Sequence, residues 1–421
     1  MTVVGDSFVL RPDRVFDGSG SRSLVGHQVS VVGDRIAEVG PSGGAAGART
    51  IDLPGATVLP GLIDCHVHYL FDPEVERGNS VEDAARRPTA DLMMTGARNA
   101  RVALGAGVTT ARSGGAPHDL DIPLAAGIAA GDISGPRLLP AGRAITITGG
   151  HGSPFGVVAD TIPEMVRAVR RLVAGGAEVI KVVASEAAMR TDGRAGVAEM
   201  DAEQISAIVT EAARLGRRVL VHAQDDASVE AAAQAGACSV EHAFLAGDHA
   251  LRALAASGSA LTPTLVVTDV YSSLPGLDSA QRARQAELSV AHRRSCQEAV
   301  RLGIPLLAGT DCGLRGVRAD MIGREIELLV DHGLSPTDAL AAATSRAAEA
   351  LGVEHLVGTL AAGKMADLIV VDGDPLGDAG VLRRPLLVFQ EGRLVVDRLG
   401  LNWNPGVFDN TPSSDHDTSD I

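Results

Sequence analysis

The 421-residue sequence is short of aromatic side chains: seven Phe, two Tyr and one Trp, 2 % of the whole. So few rings argue against base-stacking platforms for single-stranded nucleic acid and leave the core to Val, Leu, Ile and Ala. Positive charge is scarce too. Lys and Arg number 37 against 52 Asp and Glu, a formal net charge of −15, and a surface that acidic repels phosphate backbones and anionic lipid. We expect neither a nucleic-acid nor a membrane partner. The four cysteines, Cys65, Cys238, Cys296 and Cys312, stand far apart without CxxC spacing. That argues against a disulfide framework or a structural zinc knuckle and fits a reducing compartment. No apolar run approaches the roughly 18 residues of a membrane span. The stretch MTVVGDSFVLRPDRVFDG carries Asp6 and Asp13 and no long apolar region before a small-residue cleavage site, unlike a signal peptide, so a cytoplasmic location is expected.

What is present is a chain too long for a small binding module, at roughly 150 residues per domain, with three changes of texture. Residues 1–57 alternate in the strand period through SFVLRP, HQVSVVGDRIAEVG and ARTIDLPGATVL, the pattern of a small β unit. From 58 onward, short β-branched runs are each followed by an Ala, Arg and Glu-rich stretch of helical period. Eight such runs can be counted, at 57–68, 107–115, 136–145, 178–185, 218–224, 238–245, 260–267 and 304–313. Helices are expected at 161–174, 201–215, 227–235, 280–301, 319–332 and 336–351. Eight parallel strands over roughly 250 residues is the arithmetic of a (β/α)8 TIM-like barrel. A doubly wound sheet stays open as the alternative, because strand order is not written in the sequence. Near 358 the alternation returns in GTLAAGKMADLIVVDGDPL and LLVFQEGRLVV.

The expected organisation is therefore an α/β chain. Residues 1–57 and 358–400 form one small β-sandwich domain from both ends, 58–357 form the barrel, and 401–421 form a flexible tail with four Asp and neither Lys nor Arg after Leu401.

Polar residues end several of the apolar runs. His66-Val67-His68 closes the first, and alternate strand residues face one way, so both imidazoles can grip one metal ion. By itself, HxH is as readily two unrelated histidines; the C-terminal end of a barrel strand is where that fold puts catalysis. Lys181 sits inside VIKVVAS, where an ammonium is expensive to bury. It is paired, depressed in pKa, snorkelling from a strand end, or converted to a carbamate that bridges two cations. His222 ends VLVHAQ and His242 ends SVEHAF one βα unit later, so adjacent strands deliver both to one rim. Either alone could be a core histidine bonded to a carbonyl. Asp311 ends LLAGTDCG, where it can be a helix N-cap or, in this company, a metal ligand and general acid/base.

The set HxH, Lys, His, His, Asp, with PGLIDCHVH, GVTTAR, VIKV, VHA, EHA, AGTD and the GKMADLIVVDGDP return, resembles the amidohydrolase superfamily in its binuclear subtype with a carboxylated lysine. The resemblance implies that His66, His68 and Asp311 bind the more buried of two divalent ions. It implies that His222 and His242 bind the second, and that a CO2-derived carbamate on Lys181 bridges them. Zinc suits His and carboxylate ligands, as do manganese and cobalt. AGRAITITGGHGSPFG resembles the branch holding Xaa-Pro and Xaa-Arg dipeptidases, imidazolonepropionase-like hydrolases and ochratoxin-type amidases. In that light His151 is a substrate contact, and Tyr271, a few residues beyond where relatives often carry a carbonyl-polarising Tyr, is an oxyanion donor. Ser113 stands where many relatives have Asp.

The mechanism so implied is hydrolysis by a water held between two ions, with Asp311 moving its proton to the leaving group. Arg190 and Arg194 follow the fourth run and Arg315 and Arg318 the eighth. Cations gathered on one rim of an acidic chain suggest capture of a carboxylate, although any single one is as readily a solvated surface arginine. The expected activity is cleavage of an amide bond in a small carboxylate-bearing molecule such as a dipeptide or N-acyl amino acid. Opening of a cyclic amide, lactone or carbamate, or deamination, on the same scaffold is the alternative, and a non-catalytic assembly protein is disfavoured because all six ligand positions are filled. The resemblance further implies a homo-oligomer.

Overall fold

The computed structural model describes residues 7–20, 22–44, 47–75, 80–190 and 194–401. The tail expected over 401–421 lies, apart from Leu401, outside them. Strands β1 (Ser7–Val15), β2 (Leu24–Val25), β3 (Gln28–Val32), β4 (Arg35–Gly40) and β5 (Arg49–Pro60) form one sheet with β15 (Leu368–Asp372), β16 (Leu387–Gln390) and β17 (Arg393–Asp397). Its order is β17-β16-β15-β5-β1-β3-β4, with β2 on β1. β5 joins the chain ends because it uses both edges. One pairs parallel with β1 from Phe8↔Arg49 to Val15↔Val58, and the other antiparallel with β15 from Leu368↔Pro60 to Asp372↔Ala56. The expected sandwich is thus one continuous hydrogen-bonded sheet of eight strands. Two strands separate β1 from β16, which would hold them about 14 Å apart in a flat sheet at about 4.8 Å per strand. Phe8 and Phe389 nonetheless stack at 4.9 Å, so the sheet curls over its apolar core of Phe8, Leu10, Val29, Val31, Val58 and Phe389.

The middle of the chain supplies two parallel sheets. β6 (Leu62–Val67), β7 (Val108–Ser113) and β8 (Arg137–Leu139) make the first. β9 (Ile145–Thr146), β10 (Val157–Val158), β11 (Val179–Val183), β12 (Arg218–Ala223), β13 (Ser239–His242) and β14 (Ala260–Thr262) make the second, in the order β10-β9-β11-β12-β13-β14. Glu178 N–H donates to Pro140 O at 2.8 Å, linking β8 to β11. The run at 304–313 links the other edges: Leu261 N–H donates to Pro305 O, and Cys65 N–H to Ala308 O, both at 2.9 Å. This run is not the regular strand expected; only the isolated bridges Leu261↔Leu306, Val67↔Cys312 and Cys312↔Leu314 form. Asp311 takes a left-handed φ of 55°, which turns the backbone out of the extended path. Ile63, Cys65, Leu139, Val179, Leu220 and Leu307 nevertheless meet in one buried cluster.

The helices follow their expected spans where the caps are written locally. Ile162–Ala174 opens with a Thr161/Glu164 capping box, Ala202–Arg214 with Asp201/Gln204 and Ser279–Arg301 with Asp278/Gln281, each satisfying backbone N–H groups that the first turn leaves unpaired. The single helix expected over 336–351 is two, Pro336–Ala342 and Ser345–Leu351. Ala342 O and Ala343 O accept instead from Ala308 N–H and Ile63 N–H at 2.8 Å, so tertiary contacts use the carbonyls that a continuing helix would need. The expected strand at 260–267 also stops early, because Thr264 turns left-handed at φ 54° and the helix Leu265–Ser273 begins. No helix of the described residues is long and apolar enough to cross a membrane.

Candidate metal centre

β6 places His66 and His68 on one side, as the strand period requires. Their Nε2 atoms lie 3.4 and 3.2 Å from Oδ1 of Asp311, and the ligand atoms of the three residues all fall within 4.8 Å of one another. Each ring is held from behind: Nδ1 of His66 is 2.6 Å from Oε2 of Glu241, and Nδ1 of His68 is 2.9 Å from Gly115 O. Such partners orient an imidazole so that its other nitrogen faces a cation. Asp64 locks the two segments together, accepting from Thr310 N and Oγ1 at 3.0 and 2.6 Å and from His66 N at 3.2 Å. Burial pushes its carboxyl up to about 7. Gly114 leaves the room the rings occupy, since a Cβ there would sit 2.6 Å from Nε2 of His66 and 2.8 Å from Cε1 of His68.

The remaining candidates close around this trio. Lys181 Nζ is 3.3 Å from Nε2 of His66. The rings of His66 and His242 have centroids 5.0 Å apart, those of His242 and His222 4.7 Å, and those of His222 and His151 5.1 Å. Nδ1 of His242 meets Thr264 Oγ1 at 2.8 Å and lies 4.0 Å from Oδ2 of Asp311. Burial first, and neighbouring cations second, hold His66 and His222 well below the usual histidine range; burial also brings His242 down to about 4. Burial lowers Lys181 to about 8. Burial raises Asp311, but the imidazoles of His66, His68 and His242 together outweigh it and hold the carboxyl well below the carboxylate range.

Neutral imidazoles at His66, His222 and His242 beside an ionised Asp311 are the protonation states that metal ligands need. Nε2 of His222 is buried with no hydrogen-bond partner among the described residues, a cost removed when it binds a cation. The donor set therefore fits divalent ions. His242, Thr264 and Asp311 have φ of 76°, 54° and 55°, strain of the kind that collects at functional sites.

A family model described as the amidohydrolase family matches residues 57–399. The chain belongs to the amidohydrolase family. It is similar to ochratoxinase of Aspergillus niger, 30 % identical over 363 residues that cover 79 % of this chain and 73 % of that one. It is also similar to imidazolonepropionase of Rubrobacter xylanophilus, 29 % identical over 387 residues covering 82 % and 84 %. Among solved structures, a prolidase complexed with N-methylphosphonate-L-proline superimposes with a TM-score of 0.83 at 28 % identity, covering 93 % of this chain and all of that one. As a member of this family the protein is a hydrolase.

The six candidate ligands of this amidohydrolase share a cavity of about 270 Å³. His151, Tyr271, Arg190 and Arg315, the expected substrate contacts, also line it. Burial pushes Tyr271 up to about 12, keeping its hydroxyl a donor. Arg315 Nη2 donates to Pro275 O at 2.9 Å, and Arg190 Nη1 lies 3.6 Å from Glu186. Arg194 and Arg318 are not among the lining residues. Arg194 is 3.2 Å from Glu186, and Arg318 forks onto Asp320. A larger cavity of about 390 Å³, walled by Arg143, Val157, Arg167 and Leu172, lies apart from the cluster.

Asp64, Arg112, Glu241, Thr264 and Gly114 are residues of the site that sequence reasoning missed. The first three had a visible signal, since LIDCHV, VTTARS and SVEH each carry a charge inside an apolar strand run. Thr264 and Gly114 had none, because their roles exist only through contacts made by the fold.

Proposed function

We propose that this amidohydrolase cleaves an amide bond in a small carboxylate-bearing substrate, a dipeptide or N-acyl amino acid, using two divalent ions. In this reading the two parallel sheets and the run at 304–313 form a (β/α)8 barrel over 58–357. The candidate ligands stand at its C-terminal rim, and residues 1–57 and 358–400 make the flanking β domain. The observation that carries the reading is the convergence of four buried imidazoles, Asp311 and Lys181 on a cavity that also holds Arg190 and Arg315.

His66, His68 and Asp311 would hold one ion, His222 and His242 the other, and Lys181 as a carbamate would lie between. Lys181 suits that modification because burial favours its neutral amine, the form that adds to CO2 with loss of a proton. Bound to these residues, two such ions, zinc in our reading, would supply Lewis acidity toward a carbonyl and toward a water. Asp311 takes a proton from the attacking water and returns it to the leaving nitrogen. Tyr271 and His151, on the cavity wall, donate to the oxyanion as it forms. Arg190 and Arg315 orient the substrate through its carboxylate.

The test is zinc per chain and turnover of N-acyl amino acids, each beside its carboxamide, for wild type and Lys181→Ala grown with bicarbonate and zinc. Two ions falling to one or none in the variant, with free acids preferred, is the expected outcome. One ion indifferent to Lys181 would sink the bridged centre, and equal turnover of acids and carboxamides would sink the arginine assignment.

A further inference from the structure

We propose that Glu241 is the positioning residue of the metal centre. It holds His66 in the one tautomer whose Nε2 can bind an ion, and Arg112 makes that choice strict. This inference rests on the metal-dependent reading above.

The two oxygens of Glu241 face three groups inside the protein. Oε1 receives Nη2 of Arg112 at 3.1 Å and the hydroxyl of Ser239, and Oε2 lies 2.6 Å from Nδ1 of His66. All four residues are at most 2 % exposed, so no solvent rearrangement can substitute for these partners. A carboxylate has acceptors only; Nδ1 of His66 therefore carries the proton, and Nε2 turns a lone pair toward the cluster. There Nε2 meets Lys181 Nζ at 3.3 Å and Asp311 Oδ1 at 3.4 Å.

Three strands supply the network: His66 stands on β6, Arg112 on β7, and Ser239 and Glu241 on β13. β6 and β13 belong to different sheets, so the carboxylate reaches across the space between them. Ser239 and Glu241 are two apart and share a face of β13. His242, at φ 76°, leaves the extended path immediately afterwards and joins the cluster. Burying an ion pair in this way is costly in desolvation and gives no assured gain in stability. Its worth lies in what it fixes.

Arg112 decides what a neutral replacement can do. Its guanidinium has donors only, and its Nε already donates to Cys65 O at 2.7 Å. A glutamine in place of Glu241 would have one acceptor and one donor group. Its oxygen must face Arg112, so its amide NH2 faces Nδ1 of His66. Nδ1 then accepts, the proton moves to Nε2, and the atom that should bind the ion is blocked.

The experiment compares wild type, Glu241→Gln, Glu241→Asp and the double variant Glu241→Gln/Arg112→Met. It reads zinc per chain, zinc affinity by chelator competition and the melting temperature of the metal-free proteins. Glu241→Gln is expected to weaken zinc by roughly 10–100-fold at one site and to lose one ion per chain on dialysis; its metal-free melting temperature falls as well, because Arg112 is left buried without its counter-charge. Glu241→Asp keeps an acceptor-only group and is expected to keep both ions. In the double variant the amide can turn its oxygen to Nδ1 and donate to Ser239 Oγ, so zinc affinity recovers above that of Glu241→Gln.

Wild-type affinity in Glu241→Gln overturns the proposal. So does loss of zinc in Glu241→Asp equal to that in Glu241→Gln, which would mark a packing role, and this arm decides even if the glutamine variant does not fold. A fall in metal-free melting temperature with unchanged affinity would likewise show a structural role only. Wild type that binds no divalent ion would refute the metal-dependent reading instead.

Discussion

The curled sheet made from the chain ends and the cluster around Asp311 are both buried, yet they are built in opposite ways. The sheet fills its interior with Phe8, Leu10, Val29, Val58, Leu368 and Phe389, side chains whose removal from water is the main source of stability. The cluster buries the charged groups Asp64, Arg112, Lys181, Glu241 and Asp311 and bends three of its residues into left-handed backbone. Buried charge and strain detract from stability and persist where they serve a task. The first region should therefore respond to mutation through folding and the second through chemistry.

The sharpest way to break that contrast is Asp311→Asn, which should lower turnover by roughly 10²–10⁴-fold, the usual worth of a positioned acid/base, while circular dichroism shows a folded chain. Turnover near wild type would remove Asp311 from the mechanism. Phe389→Ala is the mirror experiment. It removes one ring of the stack with Phe8 and should cost about 3–5 kcal/mol in urea unfolding, with zinc content per folded chain unchanged.

Gly114→Ala lies between the two. Its Cβ would press on both His66 and His68, so zinc affinity should fall clearly while stability drops by only about 1–3 kcal/mol, the usual range for overpacking. A variant that binds zinc normally would mean the rings can move aside.

Smaller effects sharpen the picture. Glu325, buried, accepts from Leu265 N and Val266 N at 3.0 and 2.8 Å at the start of the helix that carries Tyr271, and burial pushes its carboxyl up to about 8. A carboxyl raised on folding contributes stability that is complete below its unfolded value, 4.5, and is lost as pH rises through about 8. The melting temperature of wild type minus that of Glu325→Gln should accordingly fall from pH 6 to pH 9; a constant difference would contradict the shift. Smallest of all, Arg318→Ala should change stability by no more than about 0.5 kcal/mol and leave KM alone, whereas Arg315→Ala, on the cavity wall, should raise KM. Equal effects on KM would erase the distinction between the two.

Much of this contrast could be read from the chain. Strand alternation put His66 and His68 on one side, and the recurrence of a histidine after VLV and SVE placed His222 and His242 together. Period and burial act over a few residues, so they are written locally. The same locality explains the misses. The run at 304–313 has the composition of a strand, but Asp311 must turn to reach the histidines. The helix expected across 343 breaks because Ala342 O and Ala343 O serve distant N–H groups. His66 and Glu241 stand 175 residues apart and Arg112 and Glu241 129 apart, and no spacing rule links such pairs.

The sequence by itself determined most of the strands and the capped helices, that both chain ends carry strands, and which side chains could bind a cation, because these follow from period, caps and residue chemistry. Tertiary structure alone decided that the paired ends make one curled sheet rather than a sandwich, through both edges of β5, that Arg190 and Arg315 line the cavity while Arg194 and Arg318 do not, and that Glu241 stands behind His66. Those outcomes depend on which surfaces meet once the apolar faces are buried, and side-chain direction at a rim is set by neighbours far away in the chain.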